Sequence, residues 1–365
     1  MINGVPNGAR IVRCPICADD FYWPEAGPVL VFDQDAAKYR PLDPNRLGPA
    51  RRAGALRGGY IQCPHPAGDM AAHYLPATYA DYRDPLVVGL VGAPMAGKTH
   101  LLTAMIREAY RGGLDQYGIR TSALDFRAHN SFLADFVTPF EQGTALGGTA
   151  NGRIEAADIL LVRGPAGERP VLFFDVAGED LESTEALNRS TRFLLSANAV
   201  IFVHAMEDPA EDGTNGAVNP AWSFELAVER LLGVAGNAER IPVAIAVTKS
   251  DRMRYTPPVD RWLRRGPEPA LDADLIRAES RDAYAYLQRA GAASSLRPFD
   301  AFRRCTLHFV SASGGEASPA EPTGRTGDFR FPRGVRPAHV LAPLIAILAM
   351  AGVIAGPEAG KVGRP

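Results

Sequence analysis

The chain has 365 residues, 46% of them hydrophobic, enough to bury a sizeable core in one large domain with an appendage or in two domains. A net charge of −2 and a pI of about 6.4 give no sign of a protein that binds nucleic acid or an anionic membrane surface. The first residues lack a secretory signal pattern, and the apolar run 340–354 is too short to span a membrane, so we expect a cytoplasmic protein without a transmembrane segment.

The amino-terminal part of the chain is rich in Pro, Gly and Arg and has weak hydrophobic periodicity, which is typical of a small module held together by something other than a core. Cys14 and Cys17 have the spacing of a zinc-ribbon knuckle, and Cys63 and His65 follow about 45 residues later. These residues predict a structural Zn²⁺ site. Because one residue separates Cys63 from His65, His73 is the alternative fourth ligand, and a metal-free loop is the alternative to any site.

A glycine-rich loop follows an apolar run of strand character at 87–91 and precedes a periodic segment suited to a helix. It has the spacing Gly-x4-Gly-Lys-Thr, and its residues are Gly92, Ala93, Pro94, Met95, Ala96, Gly97, Lys98 and Thr99. Such a loop points backbone N–H groups and a helix N-terminus at phosphate oxygens. Lys98 would contact the β- and γ-phosphates, and the Thr99 hydroxyl would coordinate Mg²⁺.

Strands and helices alternate along the rest of the chain. In chain order we predict a helix at 101–110, a strand at 118–126, a helix at 129–140, strands at 159–162 and 170–174, a helix at 187–195, a strand at 199–203, a helix at 222–232, strands at 241–247 and 307–310, and a terminal helix at 340–354. This order predicts an α/β fold of the P-loop NTPase class, a mostly parallel sheet with helices on both faces.

We therefore divide the chain into three units. They are a zinc-ribbon-like module over residues 1–83, a P-loop domain over 84–356 and a flexible tail over 357–365. Ligand is expected at the carboxyl ends of the parallel strands. Asp175 ends one of these strands, where it would hold Mg²⁺ through water, and the backbone N–H of Gly178 would meet the γ-phosphate.

The base is predicted from the residues that follow two later strands. The Asp251 carboxylate can accept two hydrogen bonds from the N1–H and 2-amino groups of guanine, and adenine offers no such pair of donors. Thr248 and Lys249 precede it, and the Lys249 stem would cover one face of the base. Ser311 and Ala312 follow the last strand, where the Ala312 N–H would meet guanine O6.

In this order the motifs resemble those of the GTPase superfamily, and more narrowly the bacterial double-GTPase group of the TRAFAC class. The narrower resemblance rests on the Cys-x2-Cys module, on Asp-Val-Ala-Gly-Glu at 175–179, on 279–284 and on the Pro-rich stretch 332–343. It implies a protein that binds GTP with Mg²⁺, hydrolyses it to GDP and phosphate, and acts as a switch for a protein partner. We expect that partner to contact the surface loops 252–271 and 314–336.

The resemblance also implies roles for residues in two loops. Thr149 would be the switch threonine that joins the Mg²⁺ shell, with Thr144 as the alternative. Glu179 stands where many GTPases have a water-orienting glutamine; a carboxylate only accepts hydrogen bonds, so hydrolysis is expected to be slow or to need a partner's residue. Arg153 and Arg189 lie near these loops, and neither is assigned as an arginine finger.

Two other functions are compatible with the sequence. In one, the chain is a P-loop ATPase or kinase in which Thr-Lys-Ser-Asp at 248–251 is incidental. In the other, it is a non-hydrolysing scaffold in which bound GTP is structural and the zinc module recruits a partner.

Overall fold

The structure is a computed structural model that describes residues 10–23, 27–64, 72–147, 156–175, 196–206, 220–234, 240–319 and 329–363. Its strands are β1 Ile11–Arg13, β2 Asp20–Tyr22, β3 Leu30–Asp33, β4 Lys38–Pro41, β5 Tyr60–Gln62, β6 Tyr74–Pro76, β7 Leu86–Val91, β8 Arg120–Ala123, β9 Ala156–Gly164, β10 Gly167–Asp175, β11 Ala199–Ala205, β12 Val243–Thr248, β13 Cys305–Phe309, β14 Ser318–Pro319 and β15 Phe329–Arg330. Its α-helices are α1 Pro49–Arg57, α2 Lys98–Glu108, α3 Phe126–Phe132, α4 Thr138–Glu141, α5 Pro220–Val234, α6 Val259–Leu263, α7 Ala273–Arg289, α8 Arg297–Ala301 and α9 Ala342–Met350.

Seven strands form the central sheet in the order β13-β12-β11-β7-β10-β9-β8. The first five are parallel to one another, and β9 is antiparallel to both β10 and β8. This confirms the predicted α/β fold with a mostly parallel sheet. Each predicted strand or helix that falls within the described residues is present, with shifted ends; the helix predicted at 187–195 lies outside them.

The direction of β9 was not predicted. β9 and β10 are joined by the two-residue turn Pro165-Ala166, with Gly164 paired to Gly167. A two-residue turn can only join antiparallel strands, whereas parallel neighbours need a long crossover. Gly167 has a φ of 106°, a left-handed conformation that glycine adopts without strain. β9 and β10 are each nine residues long and extend beyond the apolar runs at 159–162 and 170–174 from which they were predicted.

Both faces of the sheet are covered, because alternate residues of each buried strand point to opposite sides. On one face Val87 and Phe202 pack with side chains of α5 and α7. On the other, Val88 and Ile201 pack with α2 and with α9, whose residues from Pro343 to Met350 are all buried. Within the described ranges no helix has the length and hydrophobicity needed to cross a membrane.

Helix α7 lies against the outer edge of β13 and supplies it with hydrogen-bond acceptors. The backbone N–H of Phe309 donates to Glu279 Oε1 at 2.9 Å, and that of Leu307 donates to Ser280 Oγ at 3.0 Å. Glu279 Oε2 also lies 3.0 Å from Nδ1 of the buried His308. The segment 279–284, which contributed to the family resemblance, therefore starts with two residues that complete the hydrogen bonding of the last strand.

The carboxyl-terminal residues differ from the flexible tail that we expected from residue 357. Ala359 and Val362 are buried, and the Arg304 guanidinium donates to the Val362 carbonyl at 2.9 Å. Glu358 accepts a hydrogen bond from the Ala273 N–H at the start of α7. Small apolar side chains and backbone carbonyls make these contacts, so the sequence of this segment shows no hydrophobic periodicity. Residues 357–363 pack against the rest of the described chain.

The amino-terminal module consists of the β1–β2 pair and a second sheet of order β4-β3-β5-β6. It packs on α3: the Tyr60 hydroxyl donates to Asp125 Oδ1 at 2.7 Å, and the Arg127 guanidinium lies 4.2 Å from the Phe32 ring centroid. Its buried side chains, Cys14 among them, belong to the same hydrophobic cluster as Val87 of the central sheet. The module therefore shares a core with one face of that sheet.

Candidate functional site

The glycine-rich loop connects β7 to α2 at the carboxyl edge of the sheet. At Gly92 a Cβ atom would lie 2.4 Å from the Val203 carbonyl oxygen of the neighbouring strand, so only glycine fits there. Gly97 has a φ of 86° and Met95 a φ of 62°, two left-handed residues that turn the chain sharply before the helix begins. Met95 is 82% exposed, which leaves its side chain outside the turn.

We expect Gly92→Ala to destabilise the protein by about 1–3 kcal/mol, the usual cost of overpacking a tight site, because a backbone carbonyl cannot move as easily as a side-chain end. Chemical denaturation of both proteins without ligand measures the difference. Gly266→Ala is the matched control, since a Cβ there meets no atom within 4 Å. Equal stability of the two variants would contradict the packing argument.

Lys98 lies over this loop. Its Nζ donates to the carbonyl oxygens of Gly92 at 2.8 Å and Ala93 at 3.0 Å, and the residue is only 7% exposed. These bonds hold an ammonium group against the concave side of the loop. An anion held by the loop would meet the positive charge of Lys98 and the amino-terminal end of α2 together.

Two of the three predicted Mg²⁺ ligands, Thr99 and Asp175, lie side by side. The Thr99 hydroxyl donates to Asp175 Oδ2 at 2.8 Å. Strand β10 is the parallel neighbour of β7, with Asp175 opposite Leu90, and this register places the end of β10 beside the loop. A hydroxyl and a carboxylate are the hard oxygen donors that Mg²⁺ takes in proteins, so the residues present fit that ion.

The end of β12 is tied to the loop. The Thr248 hydroxyl donates to the Ala96 carbonyl at 2.6 Å, which joins the predicted base-binding segment to the phosphate-binding loop. Lys249 has a left-handed φ of 54°. A non-glycine residue in this region is unusual, and such residues concentrate at functional sites.

Asp251 is fixed by the turn that follows β13. The Ser311 hydroxyl donates to Asp251 Oδ1 at 2.5 Å and accepts from the Gly314 N–H at 2.9 Å. The Asp251 side chain is 9% exposed, and it lines a cavity of about 1070 Å³ together with Gly314 and Gly315. This volume reaches the upper end of the range for small-molecule sites. The structure thus brings the carboxylate and the turn that begins at Ser311 together.

Several predicted site residues lie outside the described residues. They are Thr149, Gly178 and Glu179, together with Arg153 and Arg189. Thr144, the alternative switch threonine, is described, and its backbone forms a β-bridge with Arg330. The predictions for the switch residues therefore stay predictions.

The sequence did not predict what residues 329–338 do; we call this segment the strap. At one end, the Phe331 N–H donates to the Gly143 carbonyl at 2.7 Å and the Ala145 N–H donates to the Phe329 carbonyl at 2.9 Å. At the other end, the Ala338 N–H donates to the Ser311 carbonyl at 2.8 Å. The strap therefore connects the loop before Thr149 to the turn that fixes Asp251, through backbone bonds that leave no side-chain pattern.

A second site lies in the amino-terminal module. Cys14, Cys17, Cys63 and His73 are all buried, and their ligand atoms lie within 4.8 Å of one another. Cys14 Sγ is 3.2 Å from His73 Nε2, and Cys17 Sγ is 3.6 Å from Cys63 Sγ. Tetrahedral Zn²⁺, with bonds of about 2.3 Å to sulfur and about 2.0 Å to nitrogen, would place ligand atoms about 3.5–3.8 Å apart, so the four residues fit the ion.

The sequence left two candidates for the fourth ligand of this cluster, His65 as the first choice and His73 as the alternative. His73, the alternative, completes the described cluster, whereas His65 lies outside the described residues. Hydrogen bonds with the Cys17 and Cys63 thiols, together with burial, raise the pKa of the Cys14 thiol. Three thiolates this close need a cation to balance their charge.

The family model described as Double-GTPase 2 matches residues 86–283. No curated protein sequence matches the chain. Among solved structures, a bacterial selenocysteine-specific elongation factor EF-Sec is similar over 63% of this chain and 26% of that chain, with 15% identity and a TM-score of 0.25. The chain thus spans about a quarter of that protein's length.

Proposed function

The chain belongs to the Double-GTPase 2 family, because the matched residues make up more than half of its length, and from this premise we propose that it hydrolyses GTP and acts as a switch. Membership of this family supports the binding of GTP by this chain. The observation that carries the proposal is that Lys98, Asp175 and Asp251 all lie at the carboxyl ends of parallel strands of one sheet, where α/β proteins bind ligands.

The phosphate half of the site is the loop from Gly92 to Thr99. Its backbone N–H groups and the start of α2 would receive the β-phosphate, and the Lys98 ammonium would exchange its two loop carbonyls for phosphate oxygens. Thr99 and Asp175 would hold Mg²⁺, Asp175 through water, and the ion would neutralise charge on the β- and γ-phosphate oxygens.

The base half is the pair of turns after β12 and β13. The Ser311 hydroxyl orients the Asp251 carboxylate and leaves it capacity to accept from guanine N1–H and the 2-amino group. Bound adenine would leave this nearly buried carboxylate without the donors that guanine supplies, and an unsatisfied buried charge is costly. The site is therefore proposed to select GTP over ATP.

The hydrolysis step is in-line attack of water on the γ-phosphorus, with GDP as the leaving group. Positioning and charge stabilisation would supply most of the rate enhancement. We keep Thr149, Gly178 and Glu179 as the residues expected around the γ-phosphate, on the grounds of sequence alone. Because Glu179 can only accept hydrogen bonds, turnover is proposed to be slow until a protein partner completes the site.

Zinc belongs to this proposal as a structural cofactor. The cluster of Cys14, Cys17, Cys63 and His73 supplies four protein ligands, the full set of a closed structural site. It joins the β1–β2 turn to the chain on either side of the stretch between β5 and β6, in a module with little core of its own.

The test is nucleotide binding and turnover by the wild-type chain with Mg²⁺, using Lys98→Ala as the inactive control. We expect GTP to bind at least about 100-fold more tightly than ATP, and Lys98→Ala to weaken GTP binding about 100-fold or more, since a charged hydrogen-bond donor to phosphate is lost. Phosphate release from bound GTP is expected in single turnover by wild type and not by the variant.

Two outcomes would contradict the proposal. If ATP competes as well as GTP does, the chain is a P-loop ATPase or kinase and the guanine argument fails. If GTP binds but phosphate release stays at the level of Lys98→Ala, the chain is a GTP-bound scaffold and not a switch driven by hydrolysis.

A further inference from the structure

His100 has no part in the site described so far, although it directly follows the Mg²⁺ ligand Thr99. Its Nε2 accepts a hydrogen bond from the Leu146 backbone N–H at 3.0 Å. Its ring lies between Phe140 and Phe331, with centroids 5.7 and 5.8 Å away in edge-to-face geometry. The side chain of one residue on α2 thus contacts the loop that leads toward Thr149 and also the strap.

The α2 end of this contact is rigid. Leu101 and Leu102, the next residues of the helix, are 0% and 1% exposed in the core beneath the sheet. His100 is therefore held at a fixed position, one residue of the chain away from Thr99. A backbone group that bonds to its ring is placed relative to the metal ligand.

The loop end of the contact has few other fixed points. From Gly143 to Gly147, the described bonds that hold the backbone are the two to the strap, the Gly143 N–H to Phe140, the Thr144 N–H to Pro139 and the Leu146 N–H to His100. The last of these lies farthest along the chain. It fixes the loop three residues before Thr149.

The ring is suited to act as an acceptor. A backbone N–H can only donate a hydrogen bond, so the contact with the Leu146 N–H assigns Nε2 as the acceptor. Nε2 then carries a lone pair for Leu146, with the ring proton on Nδ1. A protonated ring would have no lone pair for this bond.

We propose that His100 is a positioning residue for the γ-phosphate: it holds Leu146, three residues before the expected switch threonine Thr149, at a fixed position relative to Thr99. The inference rests on the proposed function, because it concerns the preference of the same site for GTP over GDP. A loop held in advance loses less conformational freedom when the γ-phosphate binds. GDP lacks that phosphate, so its affinity does not depend on whether Leu146 is held by His100.

The test compares three substitutions that separate the hydrogen bond from the packing. In His100→Gln the side-chain oxygen reaches the position of Nε2 and can still accept from Leu146. In His100→Asn the same amide ends near the position of Nδ1 and falls short. His100→Leu keeps apolar bulk between the two phenylalanine rings and removes the acceptor.

Affinities for GDP and for a non-hydrolysable GTP analogue, and single-turnover GTP hydrolysis, are measured for wild type and all three variants. We expect the ratio of analogue to GDP affinity to fall about tenfold in His100→Asn and His100→Leu, the effect of one hydrogen bond. GDP affinity should be unchanged in every variant, and His100→Gln should stay within about twofold of wild type.

The proposal is overturned if His100→Gln falls as far as the other two variants, since packing would then be the cause. It is equally overturned if the ratio is unchanged in all three while wild type prefers GTP and hydrolyses it. Failure of the proposed function is seen separately, because wild type itself would then show no preference for GTP over ATP. Thermal unfolding with GDP bound verifies that each variant is folded.

Discussion

Replacing Asp251 by asparagine is expected to weaken GTP binding about 100- to 10,000-fold, because two charge-assisted hydrogen bonds of about 1.5–3 kcal/mol each are lost. Asparagine has the same shape, and its amide oxygen can still accept from Ser311, which donates to Asp251 at 2.5 Å. The amide nitrogen can only donate, and it would face the donor groups of guanine. The loss should therefore come from binding and not from folding.

The measurement is equilibrium binding of GTP and ATP to wild type, Asp251→Asn and Asp300→Asn. Asp300 is an exposed carboxylate on α8 that does not line the cavity, so its variant should bind GTP like wild type. Discrimination between GTP and ATP should largely disappear in Asp251→Asn only. A variant that keeps wild-type affinity for GTP would show that Asp251 does not contact the base.

The second large effect is expected in the amino-terminal module. Cys63→Ser should abolish zinc binding and lower the free energy of unfolding by at least about 3 kcal/mol, because the binding energy of a structural zinc ion is also folding energy. Cys63 is 1% exposed and belongs to the hydrophobic cluster that includes Val87 of the central sheet. The loss should therefore reach the P-loop domain as well as the module.

Mass spectrometry measures the zinc content per chain, and unfolding by denaturant measures the free energy of unfolding. Wild type should carry one zinc ion per chain. Cys305→Ser is the matched control: it alters the fourth cysteine, buried on β13 at a distance from the cluster, and should keep the zinc. His73→Asn should lose the ion and His65→Asn should keep it. If purified wild-type protein contained no zinc, the predicted zinc site would be wrong.

The parts of the fold and site that the sequence predicted rest on local patterns. The loop at 92–99, Asp175 and Asp251 each lie at the end of a buried strand or within three residues of it, so that strand places them in space. Once the strands are parallel, their carboxyl ends lie at one edge and the motifs converge. The cysteines of the Cys/His cluster could be picked out from the sequence as well, because cysteines are few and their spacing is specific.

What the sequence did not predict depends on contacts between distant segments. The strap pairs with residues 143–145 and 311–313 through backbone groups, which any residue possesses. His100 looks like an ordinary helix residue, and only its neighbours Leu146, Phe140 and Phe331 give it a role. The direction of β9 follows from the two-residue turn Pro165-Ala166. The strands predicted at 159–162 and 170–174 ended too far from this turn to reveal it.

The contact of α7 with β13 also limits how this chain can assemble. A strand from another molecule adds to a sheet by bonding to unpaired backbone groups along its edge. On β13 the N–H groups of Leu307 and Phe309 are already bonded to side chains of α7. A partner that extends the sheet must therefore join at β8, the opposite end, and its binding would leave the turn around Asp251 uncovered.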